Sequence, residues 1–250
     1  MNYMLRHLLG NLMGKHKSKT IIVLGMGLYP FLFWEVEGYR ISTSLKPLVQ
    51  NPSSVKLVVF TGGEDLHPEL YGGKDRGISF YNARRDKMEV EIFETCKKHK
   101  IKMVGICRGL QLLNVMAGGK IWQHVNRHTP VLHEVYAPIV GTTIDVNSYH
   151  HQMVALPSGS TPLLWTQPKI ASFYFDYACK IHADVDMEVE SAVYPKINAF
   201  GVQYHPEDMV IGSAGHKFFL NMVNSFLSMD IEQFAITYGG QGGRSQTTQE

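Results

Sequence analysis

Cysteine is scarce in this chain, which has three among 250 residues, an odd number. That count argues against a disulfide framework and for a reducing compartment, so a cytoplasmic location is expected. Excess charge is missing too: 24 Lys and Arg stand against 22 Asp and Glu, a net +2. A balance that mild gives no reason to expect nucleic acid as a partner. No run approaches the ~20 apolar residues of a membrane span, so no membrane is expected either. In residues 1–19 the apolar part is broken by Arg6 and His7, and the basic cluster Lys15, His16, Lys17 and Lys19 follows it. That order is the reverse of a signal peptide, and a short amphipathic helix or a disordered leader is expected there. Residues 238–250 are rich in Gly, Gln, Ser and Thr and are expected to form a disordered tail. Internal repeats and composition shifts are absent between these ends, so residues 20–237 are expected to form one domain.

Two further absences narrow the chemistry. Gly25-Met26-Gly27 follows an apolar strand, but no third glycine completes a dinucleotide loop. His124, His128, His133, His150 and His151 match no H-E-x-x-H or zinc-ligand spacing. Neither a metal nor a cofactor is expected.

What is present begins with Gly105-Ile106-Cys107-Arg108-Gly109. Met103, Val104 and Ile106 read as a buried strand, and Leu110, Leu113, Val115 and Met116 recur at helical spacing up to Gly118-Gly119. A cysteine at such a corner sits over unpaired helix N–H groups that favour the thiolate. Flanking glycines suit a sharp elbow with little room for Cβ atoms. Cys96 and Cys179 have no such glycines and read as ordinary buried or loop residues.

A thiolate needs a base, and Phe200–Glu207 is a short apolar strand ending in His205. Alternation lets His205 and Glu207 point the same way, giving a nucleophile, base and orienter in Cys107, His205 and Glu207. In a parallel sheet both Cys107 and His205 would lie at strand carboxyl ends. The loop Thr61-Gly62-Gly63-Glu64-Asp65 follows the β-branched strand Val55–Val59, and N–H groups of Gly63 and Arg108 could form an oxyanion hole. Taken alone, the paired glycines read first as an ordinary strand-end turn.

These segments, with Arg85-Asp86 and Glu89, Asn147-Ser148-Tyr149-His150-His151-Gln152 and Gly201–Glu207, resemble the class I glutamine amidotransferase-like superfamily. Within it the chain is most similar to the γ-glutamyl hydrolase branch, as in bacterial γ-glutamyl-γ-aminobutyrate hydrolases. The resemblance implies an α/β fold, a three-layer sandwich with a mostly parallel, flavodoxin-like central sheet. It implies Cys107 as nucleophile, His205 as base and acid, Glu207 as orienter, and Gly63 and Arg108 as oxyanion donors. It places Gln111, Ser148 and His151 on the substrate side and makes Asp86 and Glu89 structural pins. The implied reaction is hydrolysis of a γ-glutamyl amide through a thioester, or glutaminase action feeding a partner synthase. The implied partners are a small γ-glutamyl substrate and either a second copy or a synthase. Between Met26 and Val55 the family has a longer stretch, so the pocket rim is expected to be trimmed or rebuilt.

Expected elements are a helix from Asn82 to Lys98, a strand from Lys102 to Ile106 and a helix from Arg108 to Ala117. Strands follow at Thr143–Val146, Leu163–Thr166, Ile170–Phe173, Glu188–Val193 and Ala199–Tyr204, and a helix from Ser213 to Leu227 closes the domain.

Overall fold

A computed structural model describes residues 19–75 and 77–239. Most of the expected leader and tail lies outside the described residues.

The strands in chain order are β1 Thr20–Val23, β2 Arg40–Ser42, β3 Val55–Phe60, β4 Lys102–Ile106, β5 Lys120–Trp122, β6 His124–Val125 and β7 Val131–Ala137. They continue with β8 Thr142–Ser148, β9 Met153–Ala155, β10 Thr161–Thr166, β11 Tyr174–Phe175, β12 Ile181–His182, β13 Val189–Tyr194 and β14 Ala199–Val202. The helices are α1 Leu28–Leu32, α2 Lys46–Gln50, α3 Ala83–Lys98, α4 Arg108–Met116, α5 Ala214–Ser228 and α6 Ile231–Gly239.

Nine strands form one sheet in the order β2-β1-β3-β4-β14-β13-β10-β7-β8. Pairing is parallel from β2 through β14 and antiparallel from β14 to β8. The α/β expectation therefore holds, with the parallel part confined to the half that carries Cys107.

Alternation along the strands divides the core into two layers. Ile21, Val23, Leu57, Val59, Val104 and Ile106 pack with Phe219, Val223 and Phe226 of α5 and Phe234 of α6. Ile22, Val58, Phe60 and Met103 pack on the other face with Ile92, Phe93 and Cys96 of α3 and Leu110 and Leu113 of α4. Helices thus cover both faces, giving three layers. Among the described residues no helix is long and apolar enough to cross a membrane.

Helix α3 starts where Asn82 caps it, its side chain accepting the Arg85 N–H at 3.1 Å. Its buried stripe changes character along the helix: Asp86 and Glu89 come first, then Ile92, Phe93 and Cys96.

Two expectations need correction. Ile170–Phe173 forms no strand; the N–H groups of Ile170 and Ala171 are donated to the Glu188 carboxylate instead of a ladder. The domain does not close with the helix ending at Leu227. A further helix, α6, reaches Gly239, and the buried Tyr238 pairs its hydroxyl with Ser225 at 2.9 Å. The tail boundary at 238 therefore falls inside a helix.

Candidate active site

Strands β4 and β14 lie side by side and parallel, with Ile106 opposite Val202. Their carboxyl ends bring Cys107 and His205 to the same edge of the sheet, as such folds do with their sites. The Cys107 N–H bonds to the Val202 carbonyl at 2.7 Å, tying the elbow to the neighbouring strand.

Cys107 sits between β4 and α4 with φ 51° and ψ −108°. A positive φ at a non-glycine residue is strained, and such strain persists only where the surroundings enforce it. The flanking glycines are part of that enforcement. A Cβ on Gly109 would stand 2.0 Å from the Phe60 carbonyl oxygen, and one on Gly105 would stand 2.4 Å from the α4 backbone. Cys107 is 7% exposed, and Gln203 Nε2 lies 3.5 Å from its sulfur. Cys96 is different in kind: it is enclosed by core residues, and burial pushes its thiol up to about 12. Cys179 lies in a loop with Sγ 3.5 Å from Gln123.

His205 bonds through Nδ1 to Glu207 Oε1 at 2.7 Å. Its backbone is held on both sides by Asn147, which accepts its N–H at 2.9 Å and donates to its carbonyl at 3.0 Å. Burial opposes charge on His205, but hydrogen bonds to Cys107 and Glu207 outweigh it and raise the imidazole to about 10.

The loop after β3 completes the site. The ideal Cβ position of Gly62 lies 2.8 Å from His205 Cε1 and 3.6 Å from Cys107 Cβ, so only glycine fits there. Arg85 holds this loop from the other side. Its guanidinium donates to the carbonyls of Thr61 at 3.0 Å and Gly62 at 2.9 Å, and pairs with Glu64 at 3.0 Å and Glu89 at 2.8 Å. In a trans peptide the N–H points opposite the carbonyl, so the Gly63 N–H is turned away from Arg85. Arg108 has its N–H at the first position of α4, where a helix has no internal acceptor. Its buried side chain pairs with Asp86 and Glu89, and Asp86 also accepts the His67 N–H at 3.1 Å. One buried ion network therefore ties Gly63's loop to Arg108's helix through Glu89.

The remaining expected site residues divide. Gln111 is buried, and its amide donates towards the Gln152 carbonyl at 3.3 Å and Gln203 Oε1 at 3.5 Å, one residue removed from Cys107. His151 pairs with Asp65 at 3.1 Å and contacts His124 at 3.2 Å, beside the Gly63 loop. Ser148 is fully buried and its hydroxyl is donated to the His128 carbonyl, away from Cys107 and His205 in its hydrogen bonding. Alternation explains this, because its neighbour Asn147 points to His205 instead.

Sequence reasoning missed Tyr29, Arg85's contacts with the loop, Asn147 and Gln203. Tyr29 lies on α1 in the segment expected to be rebuilt, and its hydroxyl is 2.6 Å from the Gly62 Cβ position. Burial, then the Glu207 charge, raises its phenol well above the ordinary range. Tyr149, 47% exposed, stands edge-on to His205 with ring centroids 5.5 Å apart.

Comparison with known proteins agrees with this geometry. A sequence model of the Peptidase C26 family matches residues 40–207, more than half of the chain. The chain belongs to the Peptidase C26 family. This Peptidase C26 chain is 30% identical over 172 residues to the protein NtpR of Enterococcus hirae, covering 60% of this chain and 66% of that one. It is 26% identical over 198 residues to a glutamine-hydrolyzing GMP synthase of Dictyostelium discoideum, covering 74% of this chain and 24% of the synthase. Among solved structures it resembles a glutamine amidotransferase from Thermotoga maritima with a TM-score of 0.52 at 16% identity, covering 88% and 91% of the two chains. At that identity the likeness shows the fold. The chain spans about half to two thirds of the length of the first curated relatives it matches, 48% and 66%. Other relatives include a glutamine amidotransferase-like protein of Lactococcus lactis, 26% identical over 174 residues.

Proposed function

We propose that this chain hydrolyses a γ-glutamyl amide with Cys107 as nucleophile, His205 as base and acid, and Glu207 as orienter. The observation that carries this reading is the meeting of Cys107 and His205 at two adjacent parallel strand ends, both packed against Gly62, with His205 bonded to Glu207. The thiolate attacks the γ-carbonyl carbon, and the N–H groups of Gly63 and Arg108 receive the oxyanion. The imidazolium of His205 gives its proton to the departing amine, leaving a γ-glutamyl thioester on Cys107. His205 then takes a proton from water, the resulting hydroxide attacks the thioester, and glutamate leaves with the thiolate regenerated. Gln111 and His151 flank the substrate, and Gln203 steadies the sulfur.

A second reading, a glutaminase subunit feeding a synthase, is favoured by one feature. Met26, Leu28, Phe31 and Trp34, on and beside the helix that bears Tyr29, are exposed, as are Val210 and Ile211 beyond Glu207. Exposed apolar residues clustered beside a site suit a protein partner.

Glutamate release from glutamine, γ-glutamyl-γ-aminobutyrate, γ-glutamyl-putrescine and a γ-glutamyl peptide tests both, with Cys107→Ser beside each. Release from a larger amide, lost in Cys107→Ser, supports the hydrolase. Release from glutamine alone supports the glutaminase. Release that survives in Cys107→Ser overturns both.

A further inference from the structure

Behind β14, away from the thiol, three histidines surround one carboxylate. Glu190 lies in β13 and Glu188 just before that strand, and both are fully buried. His133 comes from β7, His128 from the segment before it and His150 from the turn after β8. His128 is fully buried, and His133 and His150 nearly so. Among the described residues the ion pairs of both glutamates are with histidines alone. Two buried carboxylates without a lysine or arginine need another source of positive charge.

The separations point to what supplies it. Glu190 Oε1 stands 3.4 Å from His128 Nδ1, 3.5 Å from His133 Nε2 and 3.2 Å from His150 Nε2. The nitrogens of His128 and His133 make no hydrogen bond there. Ligand atoms bound at about 2.0–2.1 Å in a tetrahedron lie roughly 3.3–3.4 Å apart, close to the separation of each of these nitrogens from Glu190 Oε1. The ligand atoms of His128, His133 and Glu190 all lie within 4.8 Å of one another.

Protons serve this arrangement badly. His150 Nδ1 faces the Gln152 carbonyl at 2.9 Å, and a carbonyl only accepts, so Nδ1 carries the hydrogen. Its Nε2 then offers Glu190 an electron pair unless the ring is an imidazolium. His128 faces a carboxylate with each nitrogen, Glu190 with Nδ1 and Glu188 with Nε2 at 3.5 Å, so it too would need both hydrogens. Two imidazoliums with ring centroids 4.8 Å apart would repel in a buried site. One divalent cation accepts the same electron pairs from neutral rings and balances both carboxylates.

The outer contacts fit as well. Metal-ligating histidines usually donate their second N–H to a carboxylate or a backbone carbonyl. Glu188 stands behind His128 in that role and is itself fixed by the Tyr174 hydroxyl at 2.7 Å and the N–H groups of Ile170 at 3.0 Å and Ala171 at 2.8 Å.

We propose that His128, His133 and Glu190, flanked by His150, bind one zinc-like divalent cation inside the antiparallel half of the sheet. The ion joins β7 to β13, and the Glu190 carbonyl accepts the N–H of Gln203, whose side chain touches Cys107. It therefore braces the candidate site from behind without meeting the substrate. Sequence spacing missed it because its ligands come from separate strands and turns.

The test uses the full chain without an affinity tag, incubated with zinc, passed through gel filtration and assayed by elemental mass spectrometry. The expected result is about one zinc per chain. Cobalt in its place should give the intense visible bands of a tetrahedral ion. His133→Ala and Glu190→Gln should lose the metal, and a chelator should lower the melting temperature of the parent chain. Should either variant fail to fold, the zinc content and cobalt spectrum of the parent chain still decide. Metal-free protein after zinc incubation overturns the proposal, as does a folded His133→Ala that keeps the parent's metal content. None of these readouts depends on hydrolase activity.

Discussion

Arg85 Nη2 donates to the carbonyl of Gly62 at 2.9 Å, and that bond sets the direction of the Gly63 N–H. The arginine touches no reacting atom, yet it fixes the peptide whose donor is to meet the oxyanion. It also shares Glu89 with Arg108, whose N–H is the other proposed donor.

Arg85→Ala should therefore lower kcat by about a hundred-fold, the scale of losing one oxyanion donor, with KM changed much less. Arg85→Lys should recover little, because a point charge cannot span two carbonyls and two carboxylates. Steady-state kinetics on the best substrate checks this. Equal losses in kcat and folded fraction by circular dichroism would mean that Arg85 serves the fold alone.

The elbow makes a stability prediction. A Cβ on Gly109 meets a backbone carbonyl that cannot swing aside. Gly109→Ala should destabilise the chain by at least the ~1–3 kcal/mol typical of overpacking, read as a shift in urea midpoint. Gly62→Ala should instead keep the fold and lose activity, since its Cβ would press on His205 and the Tyr29 hydroxyl.

His205 gives a pH prediction with a definite sign. Its value is raised from 6.5 to about 10, against burial, by Cys107 and Glu207. The charged form is favoured in the folded state, so the resulting stability is full below about 6.5 and is lost as pH rises through about 10. The stability gap between the parent chain and His205→Asn should narrow over that window in urea titrations. A gap that widens with pH would contradict the assignment.

Tyr29 should influence which amine leaves. Its hydroxyl lies beside Glu207 and over Gly62, and it comes from the segment that is short in this chain. Tyr29→Phe should cost no more than about tenfold in kcat, the scale of one lost hydrogen bond. Tyr29→Ala opens the space and should raise the preference for γ-glutamyl-γ-aminobutyrate over glutamine. The ratio of kcat/KM values for the two substrates reports it.

The parts of the site legible in the sequence were those written contiguously. Gly105–Gly109 carries its own strand, turn and helix start, and His205 and Glu207 share one segment. Asp86 and Glu89 were expected as pins only through the family resemblance, and the structure buries both on the inward stripe of α3 against Arg108. What was missed depends on partners far along the chain or on strand parity. Nothing around Tyr29 announces that α1 delivers it to Gly62. Within Asn147-Ser148-Tyr149-His150-His151, adjacent residues face opposite ways, so Asn147 holds His205 while Ser148 turns inward. His150 likewise meets Glu190 while His151 meets Asp65. The supposed strand at Ile170–Phe173 gave its first two N–H groups to the Glu188 carboxylate and the other two to Asn126, tertiary demands that local propensity cannot register. Helix α6 did leave a signal: Ile231, Phe234 and Tyr238 recur at helical spacing.

The central claim is that Cys107 is the nucleophile for a glutamyl substrate. The most direct test is peptide mass mapping after treatment with a glutamine-like chloroketone. The account predicts one adduct, on Cys107, with Cys96 and Cys179 unmodified and labelling suppressed by excess substrate. An unlabelled Cys107, or equal labelling of Cys179, would contradict it.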